Sequence, residues 1–341
     1  MRTLPTALGI AASVMLWKTW EHHITQERSG TLTMLPPYSG RFPDSWALAI
    51  SDQGGIAGIA FKPDRSDNIP IYWENPSAPP RSLPHPQGAD TARLRALSHD
   101  GRFLVGQSER FRDTGTHATL WHPQGVTVLP SLTGARFSVA TGVNTAGVAV
   151  GYVDFGDEEP RASYRYRGYR AVLWKDGLVE FLDEEERGIA AAINDSGLIA
   201  GYSTGQPVVW QKARKYLLKG GPGQAKALSL AGVIGGVLAG KPTIWSQLRA
   251  TPKLLATPER VPGEVRAVND RGQAVGVVFD PKAKAPRGAY WEDGTFRDPN
   301  TLIPAGSNFR ELFPQELNSR GQLVGVGYTN RDELRGFIYT P

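Results

Sequence analysis

The densest gathering of chemically able side chains in this 341-residue sequence lies between Asp154 and Arg170. Asp154, Asp157, Glu158 and Glu159 place four carboxylates within six residues, and carboxylate oxygens are what a hard cation such as Ca²⁺ takes as ligands. Their spacing is not that of an EF-hand loop, so a solvated, charged loop is the plain alternative. Tyr164, Arg165, Tyr166, Arg167, Tyr169 and Arg170 follow, mixing rings with guanidinium groups. Such a set stacks on sugars, bases or a partner's surface by cation–π contact and planar hydrogen bonding. It equally suits a β-ribbon with cross-strand Arg and Tyr pairs.

Elsewhere the chemistry is thin. The six histidines, His22, His23, His85, His99, His117 and His122, show no metal-binding spacing such as HExxH, and no GxSxG, Walker A or strand-borne GxGxxG phrase occurs. The absence of cysteine removes disulfides, thiolate nucleophiles, Fe–S clusters and cysteine-ligated zinc together. Lys plus Arg number 38 against 33 Asp plus Glu, a net charge of +5, but the signs are interspersed, so nucleic acid is not the expected partner. An enzyme built on this chain has to gather its residues from distant segments.

The elements that position these residues are repeats. Aliphatic or small residues lead into Asn or Ser, with a glycine three residues later and a second about four after that. Ala49-Ile50-Ser51 precedes Gly54 and Gly58, Ala192-Ile193-Asn194 precedes Gly197 and Gly201, and Glu316-Leu317-Asn318 precedes Gly321 and Gly325. The seven anchors, Ser51, Ser98, Asn144, Asn194, Ser229, Asn269 and Asn318, are separated by 47, 46, 50, 35, 40 and 49 residues. Asn or Ser at position i with Gly at i+3 is turn composition, so each phrase is a hairpin between a first and a second strand. The second glycine is placed at the end of the second strand, where it leaves room for a neighbouring backbone or side chain. A third apolar run then ends on Trp73, Trp121, Trp174, Trp210, Trp245, Trp291 or Tyr339, and a tight polar turn and a fourth short run follow.

Four strands in about 45 residues match one blade of a β-propeller. The predicted fold is therefore all-β, a seven-bladed propeller of four-stranded antiparallel blades over 31–341. The seventh repeat reaches Pro341 directly after its third strand, while Thr31-Leu32-Thr33-Met34-Leu35 resembles the fourth-strand runs. The N-terminal strand is expected to close the last blade and so to protect its edge.

The recurring aliphatic-Asn-x-x-Gly-x-aliphatic-x-Gly phrase, followed by small-x-aliphatic-Trp, resembles the bacterial extracellular repeats called the HAF family. The stretches His117-Ala118-Thr119-Leu120-Trp121, Arg170-Ala171-Val172-Leu173-Trp174 and Arg335-Gly336-Phe337-Ile338-Tyr339 carry the likeness, although none holds His-Ala-Phe intact. The resemblance implies a propeller-like, exported protein and brings no catalytic residues with it.

Loop length then says where a ligand sits. The second-to-third-strand loops are long in several repeats, as in 61–70, 153–169 and 277–286, but trimmed to 202–206 and 238–241 in the fourth and fifth. Function in a repeat scaffold tends to occupy the face bearing insertions, so an asymmetric cleft is expected there. Four residues before the repeat aromatic stand His117, Arg170, Gln206, Lys241, Arg287 and Arg335, with Ile69 as the exception. These either border the grooves between blades, paired with acids of the next blade, or form a partial ring for an anionic polymer.

Residues 1–30 are a separate segment. Arg2 precedes an uncharged stretch, 3–17, closed by Lys18, which reads as an export signal or membrane tether but also suits a buried or interfacial helix. The reading favoured by these observations is an exported, monomeric, non-catalytic binding scaffold without a cofactor. It engages a glycan, envelope polymer or protein through Tyr164, Arg165, Tyr166, Arg167, Arg170, Arg287 and Arg335, with Ca²⁺ at Asp154, Asp157 and Glu158 as an option. The alternative is a propeller hydrolase or lyase with a cation near the central channel.

Overall fold

A computed structural model of the protein describes residues 30–110, 115–156, 168–183, 187–281 and 285–341. It is a ring of seven four-stranded antiparallel sheets. The strands are β1 (Thr31–Met34); β2 (Asp44–Ile50), β3 (Ile56–Phe61), β4 (Asn68–Trp73) and β5 (Arg81–Ser82) in blade one; and β6 (Thr91–Leu97), β7 (Leu104–Arg110), β8 (Gly115–His122) and β9 (Gly125–Val128) in blade two. Blade three holds β10 (Phe137–Val143), β11 (Ala149–Asp154), β12 (Tyr169–Lys175) and β13 (Leu178–Phe181). Blade four holds β14 (Gly188–Ile193), β15 (Ile199–Ser203), β16 (Gln206–Gln211) and β17 (Arg214–Leu217). Blade five holds β18 (Gly223–Leu228), β19 (Ile234–Leu238), β20 (Lys241–Trp245) and β21 (Lys253–Leu254). Blade six holds β22 (Gly263–Val268), β23 (Ala274–Val278), β24 (Arg287–Glu292) and β25 (Thr295–Arg297). Blade seven is β26 (Phe309–Leu317), β27 (Leu323–Thr329), β28 (Leu334–Thr340) and, as its outer strand, β1.

The expected closure is present. Thr31 pairs with Thr340 and Met34 with Phe337, and the Leu35 N–H extends the ladder to the Gly336 carbonyl at 2.9 Å. Leu35 is fully buried between blades seven and one, beside Trp73 and Ile338.

The core is seven clusters of buried side chains, each filling the gap between two neighbouring blades. The strand-three tryptophans anchor six of them, and Phe337 and Tyr339 stand in the cluster between blades six and seven. Each tryptophan buries on the order of 150–250 Å², about 4–6 kcal/mol of gross hydrophobic stabilisation. Five of these indoles also donate Nε1–H to a carbonyl just past the outer strand of the preceding blade: Trp73 to Pro36, Trp121 to Pro84, Trp174 to Pro130, Trp245 to Lys219 and Trp291 to Ala256, at 2.7–2.9 Å. The tryptophan thus joins blades through both its apolar body and its polar edge.

The second repeat glycine sits in the middle of the second strand, not at its end, and the reason lies in the first strand. In every blade the β2-type strand carries a one-residue β-bulge, as between Ala47 and Ala49 or Ala140 and Gly142. The bulge presses a carbonyl against the partner strand. A Cβ on Gly151 would lie 2.0 Å from the Val139 carbonyl oxygen, and one on Gly236 2.0 Å from that of Gln224.

The anchor side chains do more than cap their own hairpins. Asn144 Oδ1 accepts from the Ala146 and Val148 N–H groups, while its Nδ2 reaches the Asn194 carbonyl of the next blade at 3.3 Å. Asn194 likewise donates to Ser229, Asn269 to Asn318, and Asn318 to Ser51. The remaining steps are made by Asp52 N–H to the His99 carbonyl, Arg102 to the Thr145 carbonyl, and Ala231 N–H to Asp270. Together they form a hydrogen-bonded belt through all seven blades, two of whose turns, at Ser51 and Asn318, lie 267 residues apart in the chain.

Candidate functional site

The bulges set the chemistry of the axis. The extra residue of each inner strand is Leu48, Arg95, Thr141, Ala191, Lys226, Arg266 or Gln315. Five of these seven, Arg95, Thr141, Ala191, Lys226 and Arg266, line an axial cavity of about 220 Å³. Its walls between them are small and aliphatic: Ala49, Ala96, Gly142, Ala192, Ala227 and Ala267, with Leu and Ile nearer the hairpins. Glu316 stands among them, at the register position where the other six blades have alanine or glycine.

The charges at the axis are uneven. Glu264 accepts from Lys226 Nζ at 2.6 Å and from Arg266 Nε at 3.0 Å. Burial pushes its carboxyl up, and the two cations outweigh that, leaving it below the usual carboxylate range. Arg95 has an amide for its neighbour, Gln107 Oε1 at 3.1 Å. Glu316 accepts a single short contact, from the Leu317 N–H at 2.9 Å, with no ion-pair partner among the described residues. Solvent touches part of its side chain through the cavity, yet the surrounding protein desolvates the carboxyl and pushes it up to about 8. At neutral pH it is a neutral acid, so the axis holds three cations against one carboxylate.

The cavity reaches from the bulge residues to Ile50, Leu97 and His99 beside the anchor hairpins. A second cavity of about 360 Å³ shares Arg95, Thr141 and Lys226 with the first and adds Ile189, Tyr202 and Gln224. From it a shallow groove runs past Gly205, Pro222 and Gly240. The turns below it are short because β15 and β16 are joined only by Thr204-Gly205, and β19 and β20 only by Ala239-Gly240, all four at positive φ. The groove lies where the sequence places the trimmed loops.

The residues singled out in the sequence are placed differently. Tyr164, Arg165, Tyr166, Arg167, Asp157 and Glu158 lie outside the described residues. Asp154 is buried at the end of β11 with its Oδ1 taking the Gly156 N–H at 3.0 Å, so it caps its own loop. Among the described residues no group of three His, Asp or Glu could hold a metal ion. Arg170 is the second residue of β12, and a guanidinium N–H contacts the Tyr169 carbonyl. Arg287 pairs with Asp298 at 3.1 Å. Arg335 is deep between blades seven and one, its guanidinium donating to Asp44, to the Pro43 carbonyl and to Glu333 at 2.6–3.0 Å. The structure thus does not bring these arginines together, and Arg335 pairs with an acid of the next blade.

The axial residues belong to no motif, and sequence reasoning from motifs does not reach them. One signal was available: counted back three from each anchor, Arg95, Lys226 and Arg266 fall in one column, and Glu316 interrupts a column of Ala and Gly.

No known protein family profile matches the chain, and no characterised protein resembles it closely in sequence. Solved structures share its fold. The acylaminoacyl peptidase of Pyrococcus horikoshii is similar over 89% of this chain at 12% identity and a TM-score of 0.51, and the chain spans about half of that enzyme, 52%. A structure described as YCF48 bound to D1 peptide is similar over 93% of this chain and 96% of its own, at 11% identity and a TM-score of 0.51. The oligogalacturonate lyase of Vibrio parahaemolyticus is similar over 92% and 97%, at 10% identity and 0.53. At these identities the likeness establishes the propeller and nothing of its chemistry.

Proposed function

We propose that this protein is an exported binding module that takes a glycan, envelope polymer or protein segment on its loop-bearing face, in the cleft above blades four and five. The observation that carries this reading is the continuity of that cleft with the axial cavity. Trimmed turns expose Tyr202 and Gln224, an amphipathic ring and an amide, beside the charged axis. Concave sites with a few convergent polar groups are where small ligands and chain segments bind. Of the two full-length look-alikes, one is described with a bound peptide and the other as a lyase, so the same scaffold serves both binding and catalysis.

The test is a glycan and peptide array with the full chain and with Tyr202→Ala and Gln224→Ala variants. A ligand lost from both variants supports the cleft; binding unchanged in both removes it. One observation favours the second reading, a hydrolase or lyase near the channel: Glu316 is an acid neutral at pH 7, as a general acid must be. Calorimetry with Ca²⁺, Mg²⁺ and EDTA and a hydrolase and lyase panel, silent for a binding module, decides between the two. Export is tested by fusing residues 1–30 to a reporter active only outside the cytoplasm.

A further inference from the structure

The charged residues at the axis are departures from the repeat. The same bulge forms with Leu48, Thr141, Ala191 and Gln315, so the backbone does not call for Arg95, Lys226 or Arg266. The inner-strand position of Glu316 is filled elsewhere by Ala or Gly, so the sheet does not call for a carboxyl either. Three cations around a narrow bore repel one another, and Glu264 offsets that repulsion only in part. Between the charges the wall is a row of small apolar residues, which suits a carbon skeleton better than a fully hydrated inorganic ion.

We propose that the axial channel is a carboxylate site, in which a small organic acid, free or as the end or branch of a chain lying in the cleft, is held by Arg95, Lys226 and Arg266 with Glu316 beside it. This rests on the cleft being the ligand face. Arginine offers paired N–H donors that match a carboxylate, and Lys226, already shared with Glu264, adds a point charge. Glu316 in its acid form donates its O–H to the bound carboxylate; once ionised it repels it. Affinity therefore falls as pH rises past about 8, where Glu316 loses its proton. The other ionisable groups around it are Arg95, His99 (facing Asp52), Lys226, Glu264 and Arg266.

The experiment is calorimetric titration of the full chain at low salt with glucuronate, glutarate and, as the uncharged control, glucose. One-to-one binding of an acid and none of glucose is expected, at least about tenfold weaker in Arg95→Gln and weaker still when Arg266→Gln is added, since each loses a charge-assisted pair. Glutarate binding like glucuronate marks a free organic acid; glucuronate alone marks an acidic sugar. Glu316→Gln should bind as well at pH 7 and lose the weakening between pH 7 and 9. Arg95 reaches the surface, so its variant folds if the double variant does not. Binding of neither acid, equal binding of glucose, or acid binding undiminished in Arg95→Gln overturns the proposal. Acid binding that vanishes in Arg95→Gln while the Tyr202→Ala and Gln224→Ala arrays stay unchanged fells the cleft reading alone.

Discussion

Replacing Glu316 by Gln should change how stability depends on pH, whatever the ligand. In the unfolded chain this carboxyl titrates at its ordinary value, 4.5, and in the ring it is pushed up to about 8 by desolvation, with the Leu317 N–H pulling the other way. The folded state therefore holds the proton more tightly. Stability linked to Glu316 is complete below pH 4.5 and is lost as pH rises towards 8, levelling off above it. Each pH unit in that window costs about 1.4 kcal/mol if the whole difference is realised, or about 4 kcal/mol from pH 5 to pH 8. Partial access of solvent to the side chain reduces this to roughly 2–4 kcal/mol. With an unfolding entropy of about 2.1 cal/mol/K per residue, that is a few degrees of melting temperature for a chain this long. The assay is urea or thermal unfolding of the wild type and Glu316→Gln at pH 5, 6, 7 and 8, read as the difference between the two proteins, so that every other titrating group cancels. The wild type should fall behind steadily as pH rises. Parallel profiles, within about 0.5 kcal/mol across the series, refute the account of a desolvated carboxyl at the axis.

Deleting residues 1–36 removes β1 with Leu32, Met34 and Leu35 and should cost several kcal/mol, since each large buried apolar side chain contributes roughly 1.5–3; deleting only 1–28 should melt with the full chain, and equal melting of both truncations removes the closure. Asn194→Ala deprives the Ser196 and Leu198 N–H groups of an acceptor and breaks the belt to Ser229 and Leu230, so denaturant unfolding should show a loss of roughly 2–4 kcal/mol. Gly151→Ala drives a methyl to within 2.0 Å of the Val139 carbonyl oxygen, and destabilisation of about 1–3 kcal/mol is expected, against almost none for alanine at the exposed Gly40, which has open space around it.

Most of the fold is legible in the sequence because its signals are local. An anchor with glycine three residues on encodes its own hairpin, and a tryptophan every 35–53 residues encodes the interblade core. The belt is not local: Asn144 and its acceptor are 50 residues apart, and only the curvature of the ring brings them within 3.3 Å. The bulges escape notice because one extra residue leaves an alternating pattern readable on both sides of it. That single residue decides what faces the axis, so the third-strand spacing picks out Arg170, Arg287 and Arg335 and passes over Arg95, Lys226 and Arg266. A strand-three arginine such as Arg335 meets an acid of the neighbouring blade away from the axis, whereas the bulge residues Arg95, Lys226 and Arg266 line the bore itself, the last two around Glu264.

The belt also explains where the molecule can change. Its seven turns keep the same length in six repeats and gain one residue in the other, Gly101 to Gly106, while anchor spacing runs from 35 to 50. Part of that variation is absorbed on the opposite face, in strand connections as short as Thr204-Gly205, and part in the third-to-fourth-strand turns, which lengthen to 74–80 in blade one and 246–252 in blade five. The diameter of the bore is held by one rim, and the outline of the mouth is drawn by the other. A loop can lengthen or shorten without altering the spacing of Arg95, Lys226 and Arg266, and a bulge residue can be exchanged without reshaping a loop. What the bore accepts and what the rim admits are therefore free to diverge separately, as a lock keeps its cylinder while its faceplate is replaced.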